Sequence, residues 1–530
     1  MATKNFDPDD LADYDDQDYN DYEDEEDQYD HHQEDDDDEE YTVVEEQPHS
    51  KKEGHQHMLP VQTTHSKIQS HQGGDITKKG SELHKPLHNV KKQTEGKNHG
   101  EEELSAWYLE KRKKDVVKES ETVFVVIGHV DAGKSTLNAQ LFNRFGSAQA
   151  QVSKEKNRKS KNLAWEMDVG ADERQHGVTI DAKAKRIVIE GREFVAIDAP
   201  GHADFVPSML LGAMQADAAV LVIDCVKFDA GFSRGGQTKE HLCLIRSLGI
   251  NQLVVVLNKI DLMAPLTDDT NDRIETIKVQ LIDYLNEINF PKNSIRFVPC
   301  SAISGENLFN DQSQSSSSSL ISALKNLRPK PHGPSHHTLC FPVADVNGPC
   351  ISGRIECGSI HIGEHLMVLP NRKIVHVSSF GSSDPDPVKG PGAYIDSLHL
   401  TRIDDLSFIH PGCVLVDPNF PLKKLKSVES FHAKILVIND DFMPIVKGQT
   451  VTLNCHTAIV EASISRLVRK ENFPGIPKCL VKGDLALVEI SLRKGSVLVV
   501  EPDAEQHRVT GRVVIRDRGV TIAAGLVVNP

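Results

Sequence analysis

Residues 123–136 read V-F-V-V-I-G-H-V-D-A-G-K-S-T, and the reading of this stretch decides the fold. Val123, Phe124, Val125, Val126 and Ile127 form a largely β-branched apolar run, which predicts a buried strand. The run breaks at Gly128-His129-Val130-Asp131-Ala132-Gly133-Lys134-Ser135 and passes through Thr136 into helix formers. This is G-x-x-x-x-G-K-S between a strand and a helix, the context in which such a loop cradles phosphate. The glycines let backbone N–H groups turn inward, and the donors of the following helix N-terminus add to the same field. Lys134 contributes a point charge and Ser135 a hydroxyl for Mg²⁺. The stretch implies nucleotide binding.

Outward from that loop, short apolar runs at 187–197, 219–225, 252–257 and 295–300 read as strands, and 205–216, 237–248 and 271–288 as helices. A serine run at 315–319 precedes a short helix over 320–327. The alternation predicts an α/β domain, a mostly parallel sheet with helices on both faces, over residues 121–330. A Pro-rich linker at 328–337 follows. Beyond it, short strands separated by Gly, Pro, Asn and Asp predict two all-β barrels, over 338–422 and 426–530.

Upstream of the α/β domain, residues 1–50 carry 23 Asp and Glu against the single basic Lys4, a local charge of −22, whereas the whole chain sums to −18. The acidic balance belongs to this stretch, and the rest of the chain is mildly basic. Such a composition cannot bury enough apolar surface to offset chain entropy, so 1–100 is expected to be a disordered acidic and His-rich tail. Residues 101–120 (with Leu104, Trp107, Tyr108 and Lys111 on one face) read as a helical linker. Acidic residues lead this segment and basic ones follow, as the helix dipole favours. Nine cysteines show no C-x-x-C pair and no metal-ligand spacing, which reads as reduced thiols in a cytoplasmic protein. No apolar run approaches a bilayer span, and the N-terminus has no signal-peptide core.

Four further motifs follow the phosphate loop in chain order, three of them directly after predicted strands, where open α/β sheets bind ligands. Gly177-Val178-Thr179 offers the Thr179 hydroxyl to Mg²⁺ and a backbone N–H to a γ-phosphate, a contact made only with GTP. Asp198-Ala199-Pro200-Gly201 offers a carboxylate for a Mg²⁺-bound water and the Gly201 amide to the γ-phosphate. Asn258-Lys259-Ile260-Asp261 ends in a carboxylate that can accept two hydrogen bonds from the N1 and N2 donors of guanine, an edge adenine lacks. Ser301-Ala302-Ile303 offers a backbone N–H to guanine O6. The set implies GTP and GDP as ligands. His202, next to Gly201, is the candidate to position the attacking water, because catalysis here is mostly positioning and charge stabilisation. Val130 and Val178 can gate it.

The stretches G-H-V-D-A-G-K-S-T-L, D-A-P-G-H-A-D-F, G-G-Q-T-K-E-H and N-K-I-D-L resemble the translational GTPases of the elongation factor one alpha superfamily, and the likeness covers residues 121–530. It implies a ribosome-activated GTPase with Lys134, Ser135, Thr179, Asp198, His202, Asn258 and Asp261 in the roles above. Within the superfamily, the acidic extension, Phe232-Ser233-Arg234-Gly235-Gly236-Gln237-Thr238 and Ser304-Gly305-Glu306-Asn307-Leu308 before a Ser/Gln-rich insertion resemble the Pelota-binding ribosome-rescue GTPases, the Hsp70-subfamily-B-suppressor-like family. Cys350-Ile351-Ser352-Gly353-Arg354-Ile355-Glu356 and Thr521-Ile522-Ala523-Ala524-Gly525 do so too.

That resemblance implies a monomer whose GTP form brings a Pelota-type, release-factor-like protein to a stalled ribosome. It would touch the small subunit and the GTPase-activating centre of the large subunit, and act in no-go and non-stop mRNA surveillance. The alternatives are a release factor three-type termination GTPase, an elongation factor one alpha-type aminoacyl-tRNA carrier and a non-hydrolysing GTP-binding adaptor. Two positions depart from the family pattern. His176 stands where arginine usually precedes Gly-Val-Thr, and Ala203 replaces a lysine common in rescue factors.

Overall fold

The computed structural model describes residues 121–146, 183–202, 205–233, 237–263, 268–309, 319–333, 339–381, 386–403, 405–418, 425–438, 444–503 and 509–529. The tail and helical linker expected over 1–120, the Gly177-Val178-Thr179 segment with His176, Ala203 and most of the serine run lie outside the described residues.

A six-stranded sheet forms the first layer system. Its strands are β1 (Thr122–Gly128), β2 (Lys183–Ile189), β3 (Arg192–Asp198), β4 (Ala218–Asp224), β5 (Leu253–Asn258) and β6 (Ile295–Pro299), in the order β2-β3-β1-β4-β5-β6. All neighbours run parallel except β2, which pairs antiparallel with β3 at the edge. β1 is central and wholly buried, so its continuous apolar sequence serves both faces at once. Val123, Val125 and Ile127 meet α2 (Val206–Met214), α4 (Gln237–Ser247) and α5 (Asp268–Glu287). Phe124 and Val126 meet α1 (Lys134–Phe145) and α6 (Leu320–Lys325) on the other face. A five-residue α3 (Phe228–Phe232) stacks Phe228 on Phe232, with ring centroids 4.8 Å apart.

The single strand expected over 187–197 is in fact a hairpin, β2 and β3, turning at Glu190 and Gly191. Both turn residues take positive φ, 48° and 81°, the geometry of a tight hairpin turn whose twist matches the flanking strands. The polar stretch Glu190-Gly191-Arg192-Glu193 interrupts the apolar pattern here, but the E-G dipeptide is a weaker turn signal than N-G or D-G.

Two closed barrels follow. The first is built from Phe341–Asn347, Cys350–Arg354, His365–Leu369, Lys373–Phe380, Tyr394–Thr401 and Val414–Val416. The second uses Ser430–Val437, Thr450–Cys455, Ala458–Lys470, Leu485–Leu492, Arg512–Asp517 and Val520–Val528. Closure leaves no free sheet edge. Cys340, Cys357, Leu369, Val414, Val416, Leu425 and Val499 pack together where the barrels meet. Val514 and Ala524 of the second barrel enter the core of the α/β domain, and Arg512 Nη1 donates to Ser247 O of α4 at 3.0 Å.

The α/β domain and the first barrel are joined by a buried ion pair. Arg354 Nη1 and Nη2 each donate to Asp217 at 2.8 Å, and the guanidinium also reaches Gln215 O at 2.7 Å and Gly392 O at 3.0 Å. Asp217 further accepts the N–H groups of Val123 at 2.8 Å and Lys330 at 3.0 Å. Burial raises the Asp217 carboxyl, but Arg354 with Lys330 overcomes this and holds it well below the usual carboxylate range. The pair therefore contributes fully above the unfolded carboxyl value of about 3.9 and fades as pH falls below it. Asp217→Ala leaves Arg354 buried without its counter-charge and is expected to cost about 3–5 kcal/mol, read as a lower thermal midpoint. Adding Arg354→Met should return part of the loss. A single variant as stable as the parent would show that the pair does not fix the joint.

Candidate nucleotide-binding site

The C-terminal ends of β1, β3, β5 and β6 lie side by side, and the loops leaving them enclose a cavity of about 340 Å³. The loop after β1 supplies Val130, Asp131, Gly133, Lys134, Ser135 and Thr136. The loop after β3 supplies Gly201 and His202, and the loops after β5 and β6 supply Asn258, Lys259, Asp261, Ala302 and Ile303. Segments separated by more than 150 residues thus meet at one place. Gly128, His129, Ala132, Asp198 and Ser301 stand behind this lining, and Thr179 lies outside the described residues.

The phosphate end is shaped by close backbone approach. Gly133 turns the chain into α1 at φ 96°, and a Cβ there would come within 2.3 Å of Asn258 Nδ2. A Cβ on Gly201 would lie 2.2 Å from Lys134 Nζ and 2.9 Å from the Gly128 carbonyl oxygen, a backbone atom that cannot swing aside, so glycine lets this loop pack closely on the phosphate loop. Lys134 Nζ donates to Gly128 O at 3.1 Å and His129 O at 2.8 Å, which fixes the ammonium inside the loop. Burial pulls the Lys134 amine down to about 8, opposed by Asp198 and Asp131.

Asp198, the last residue of β3, is buried, and burial pushes its carboxyl up to about 6 against the pull of Lys134. Its Oδ1 has no hydrogen-bond partner among the described residues. A buried carboxylate oxygen left unpaired beside the Ser135 hydroxyl is a hard-oxygen set that suits Mg²⁺, which takes one or two protein oxygens along with phosphate and water. The residues present fit that ion.

The base end is tied together by Asn258. Its Nδ2 donates to Ala132 O at 2.8 Å and its Oδ1 accepts the Ala302 N–H at 2.9 Å, joining the phosphate loop to the loop after β6. Lys259 takes a left-handed conformation, φ 65°, and pairs with Asp224 at the end of β4 at 2.7 Å. Asp261 is exposed at the mouth, free to meet a planar base. Ser301 is buried and its Oγ accepts the Ser304 N–H at 3.2 Å, so it shapes the loop from behind. His202 borders the cavity beside Gly201, its ring 5.9 Å from that of Phe205.

Two anchors of this site carry no motif. Asp224 closes β4 directly beside Asn258 of β5, a position that strand-end reasoning could have picked out. Gln140 of α1, which donates to Ala302 O at 3.0 Å, left no signal in the sequence.

Comparison with known proteins places this geometry. The model of the elongation factor Tu GTP binding domain matches residues 119–330, and the GTP-eEF1A C-terminal domain-like model matches 430–528. Protein HBS1 of Drosophila melanogaster is 34% identical over 445 residues, 79% of this chain and 64% of the relative, so the chain spans less than two thirds of that protein. Elongation factor 1-alpha of Tetrahymena pyriformis is 32% identical over 431 residues, 76% of this chain and 96% of the relative. The Ski7 GTPase-like domain of S. cerevisiae, bound to GTP, superposes with a TM-score of 0.63 at 18% identity, covering 77% of this chain and 97% of that one, a likeness of fold.

Asp261→Asn is expected to weaken GTP binding by about 10- to 100-fold, the loss of charge-assisted hydrogen bonds, and to admit xanthosine nucleotides, whose 2-oxo group suits an amide donor. Equilibrium titration with both nucleotides checks this. An unchanged GTP affinity would place base recognition elsewhere.

Proposed function

The chain belongs to the HBS1-like translational GTPases, kin of elongation factor 1-alpha, and we propose that its GTP form delivers a Pelota-type, release-factor-like protein to stalled cytoplasmic ribosomes. Hydrolysis on the ribosome then releases the GTPase and leaves its partner behind, in rescue and no-go or non-stop surveillance. The single observation that supports this reading over tRNA delivery is the similarity to Protein HBS1 across 79% of the chain. The motif details of the loop around Gln237, of the segment from Cys350 to Glu356 and of the C-terminal strand point the same way.

The chemistry asked of the chain is modest. The inward-facing amides of the phosphate loop and the Lys134 ammonium neutralise charge on the transferring phosphoryl group, the main task in such a reaction. Ser135 and Thr179 would hold Mg²⁺ through their hydroxyls and Asp198 through a bound water, and the ion would supply positive charge to offset that of the phosphates. Asp261 selects guanine, with Asn258 and Lys259 fixing its loop. His202 orients the attacking water in line with the γ-phosphate once the ribosome docks. Contacts of Thr179 and Gly201 with the γ-phosphate make the domain arrangement depend on GTP, and their loss after hydrolysis frees it. The three domains are joined at the Asp217–Arg354 pair and along α4, so a change at the cavity has packed elements through which to act.

The direct test is a competition. The chain loaded with a non-hydrolysable GTP analogue is offered a Pelota-type protein, a class-one release factor and aminoacyl-tRNA. GTP-dependent capture of the Pelota-type protein is expected. Preference for the release factor would move the chain to termination, and preference for aminoacyl-tRNA to elongation. Separately, His202→Ala should cut ribosome-stimulated turnover by about 10²-fold or more while leaving GTP affinity intact, the size of effect expected for a positioned water-orienting group. Unchanged turnover would remove His202 from that role.

A further inference from the structure

The base end of the cavity is gripped by a side chain outside every motif. Gln140, on α1 beyond the phosphate loop, points its Nε2 at two successive carbonyls of the loop after β6, Ala302 O at 3.0 Å and Ile303 O at 3.3 Å. On its other side the same loop is held by Asn258, whose Oδ1 takes the Ala302 N–H at 2.9 Å. Ser301 closes the turn by accepting the N–H groups of Ser304 on its Oγ at 3.2 Å and of Gly305 on its carbonyl at 3.0 Å.

These bonds have a directional consequence. In a trans peptide the carbonyl and the next N–H point opposite ways. Drawing the Ala302 carbonyl onto Gln140 therefore turns the Ile303 N–H away from α1. The Ala302 N–H is already engaged by Asn258, whereas no hydrogen bond takes the Ile303 N–H among the described residues. Ile303 lines the cavity near Asp261, and its side chain is 68% exposed, so packing does little to hold this part of the loop.

We propose that Gln140 is a positioning residue for base recognition: its carboxamide sets the Ala302–Ile303 peptide so that the Ile303 N–H is offered to the 6-oxo group of guanine. The inference rests on the reading of Asp261 as the guanine-selecting carboxylate and deepens it. Asp261 meets the N1 and N2 edge, and Gln140, acting through the loop, governs the contact that reads O6.

The test uses the full chain with Gln140→Ala and Gln140→Glu. Glutamate keeps the size of the side chain but replaces the donor with an acceptor that repels both carbonyls. Dissociation constants are measured for GDP, for IDP, which keeps the 6-oxo group but lacks the 2-amino group, and for 2-aminopurine riboside diphosphate, which lacks the 6-oxo group. Both variants are expected to lose about five- to tenfold in affinity for GDP and IDP, with glutamate at least as damaging as alanine, and to bind the 2-aminopurine nucleotide as the parent does. Parental GDP affinity in Gln140→Glu would overturn the proposal, as would an equal loss for all three nucleotides, the mark of a generally loosened loop. A parent chain that binds ADP as well as GDP would instead overturn the guanine reading itself, before any substitution is made.

Discussion

One carboxamide sets the geometry on which the site depends. Asn258 spends its donor on the Ala132 carbonyl and its acceptor on the Ala302 amide, so the phosphate loop and the base loop are pinned to each other through the end of β5. A nucleotide needs its phosphates and its base recognised at a fixed separation, and two loops 170 residues apart in sequence have no covalent means of keeping it. Asn258 is buried, so leaving either hydrogen bond unmade would carry the full desolvation cost of the orphaned group. Gly133 belongs to the same constraint, since any Cβ there would strike the Asn258 amide.

From that pinned cavity, contacts run outward into both barrels. α4 lies between the phosphate loop and the second barrel. Its His241 is fully buried beside the phosphate loop, and burial, with Lys134, His129 and Arg516 close by, pushes the imidazole down to about 3, so the ring is neutral. Glu240 on the same helix pairs with Arg516 of the second barrel at 3.4 Å. The first barrel is reached by another route, the Asp217–Arg354 pair that follows α2. A buried ion pair adds little net stability over an apolar contact, but it tolerates only one geometry, and that property suits a joint whose angle matters.

Much of this was legible in the sequence because local chemistry and global fold agree there. The buried strands β1, β4 and β5 announce themselves as apolar runs ending in polar loops, the edge strand β6 as a shorter and more mixed one, and the shift to short strands with Gly, Pro and Asn turns marks the barrels. At Glu190-Gly191-Arg192-Glu193 a polar break separates two short apolar runs, so the single strand expected over 187–197 is two strands joined by a turn. The turn needs positive φ at both Glu190 and Gly191, which Gly191 admits readily but Glu190 does not announce, so the polar break alone does not separate a turn from a polar stretch within one strand.

The sequence by itself determined the fold class and singled out the residues proposed to meet a guanine nucleotide, because phosphate cradles, carboxylates for a base edge and strand-end loops each demand particular residue types at short spacing. Only the tertiary structure decided what holds those residues in place. Gln140 on Ala302 and Ile303, Asp224 on Lys259, and Arg354 on Asp217 join positions far apart in the chain, and a hydrogen bond across such a distance is fixed by how helices and barrels pack, which no local pattern encodes.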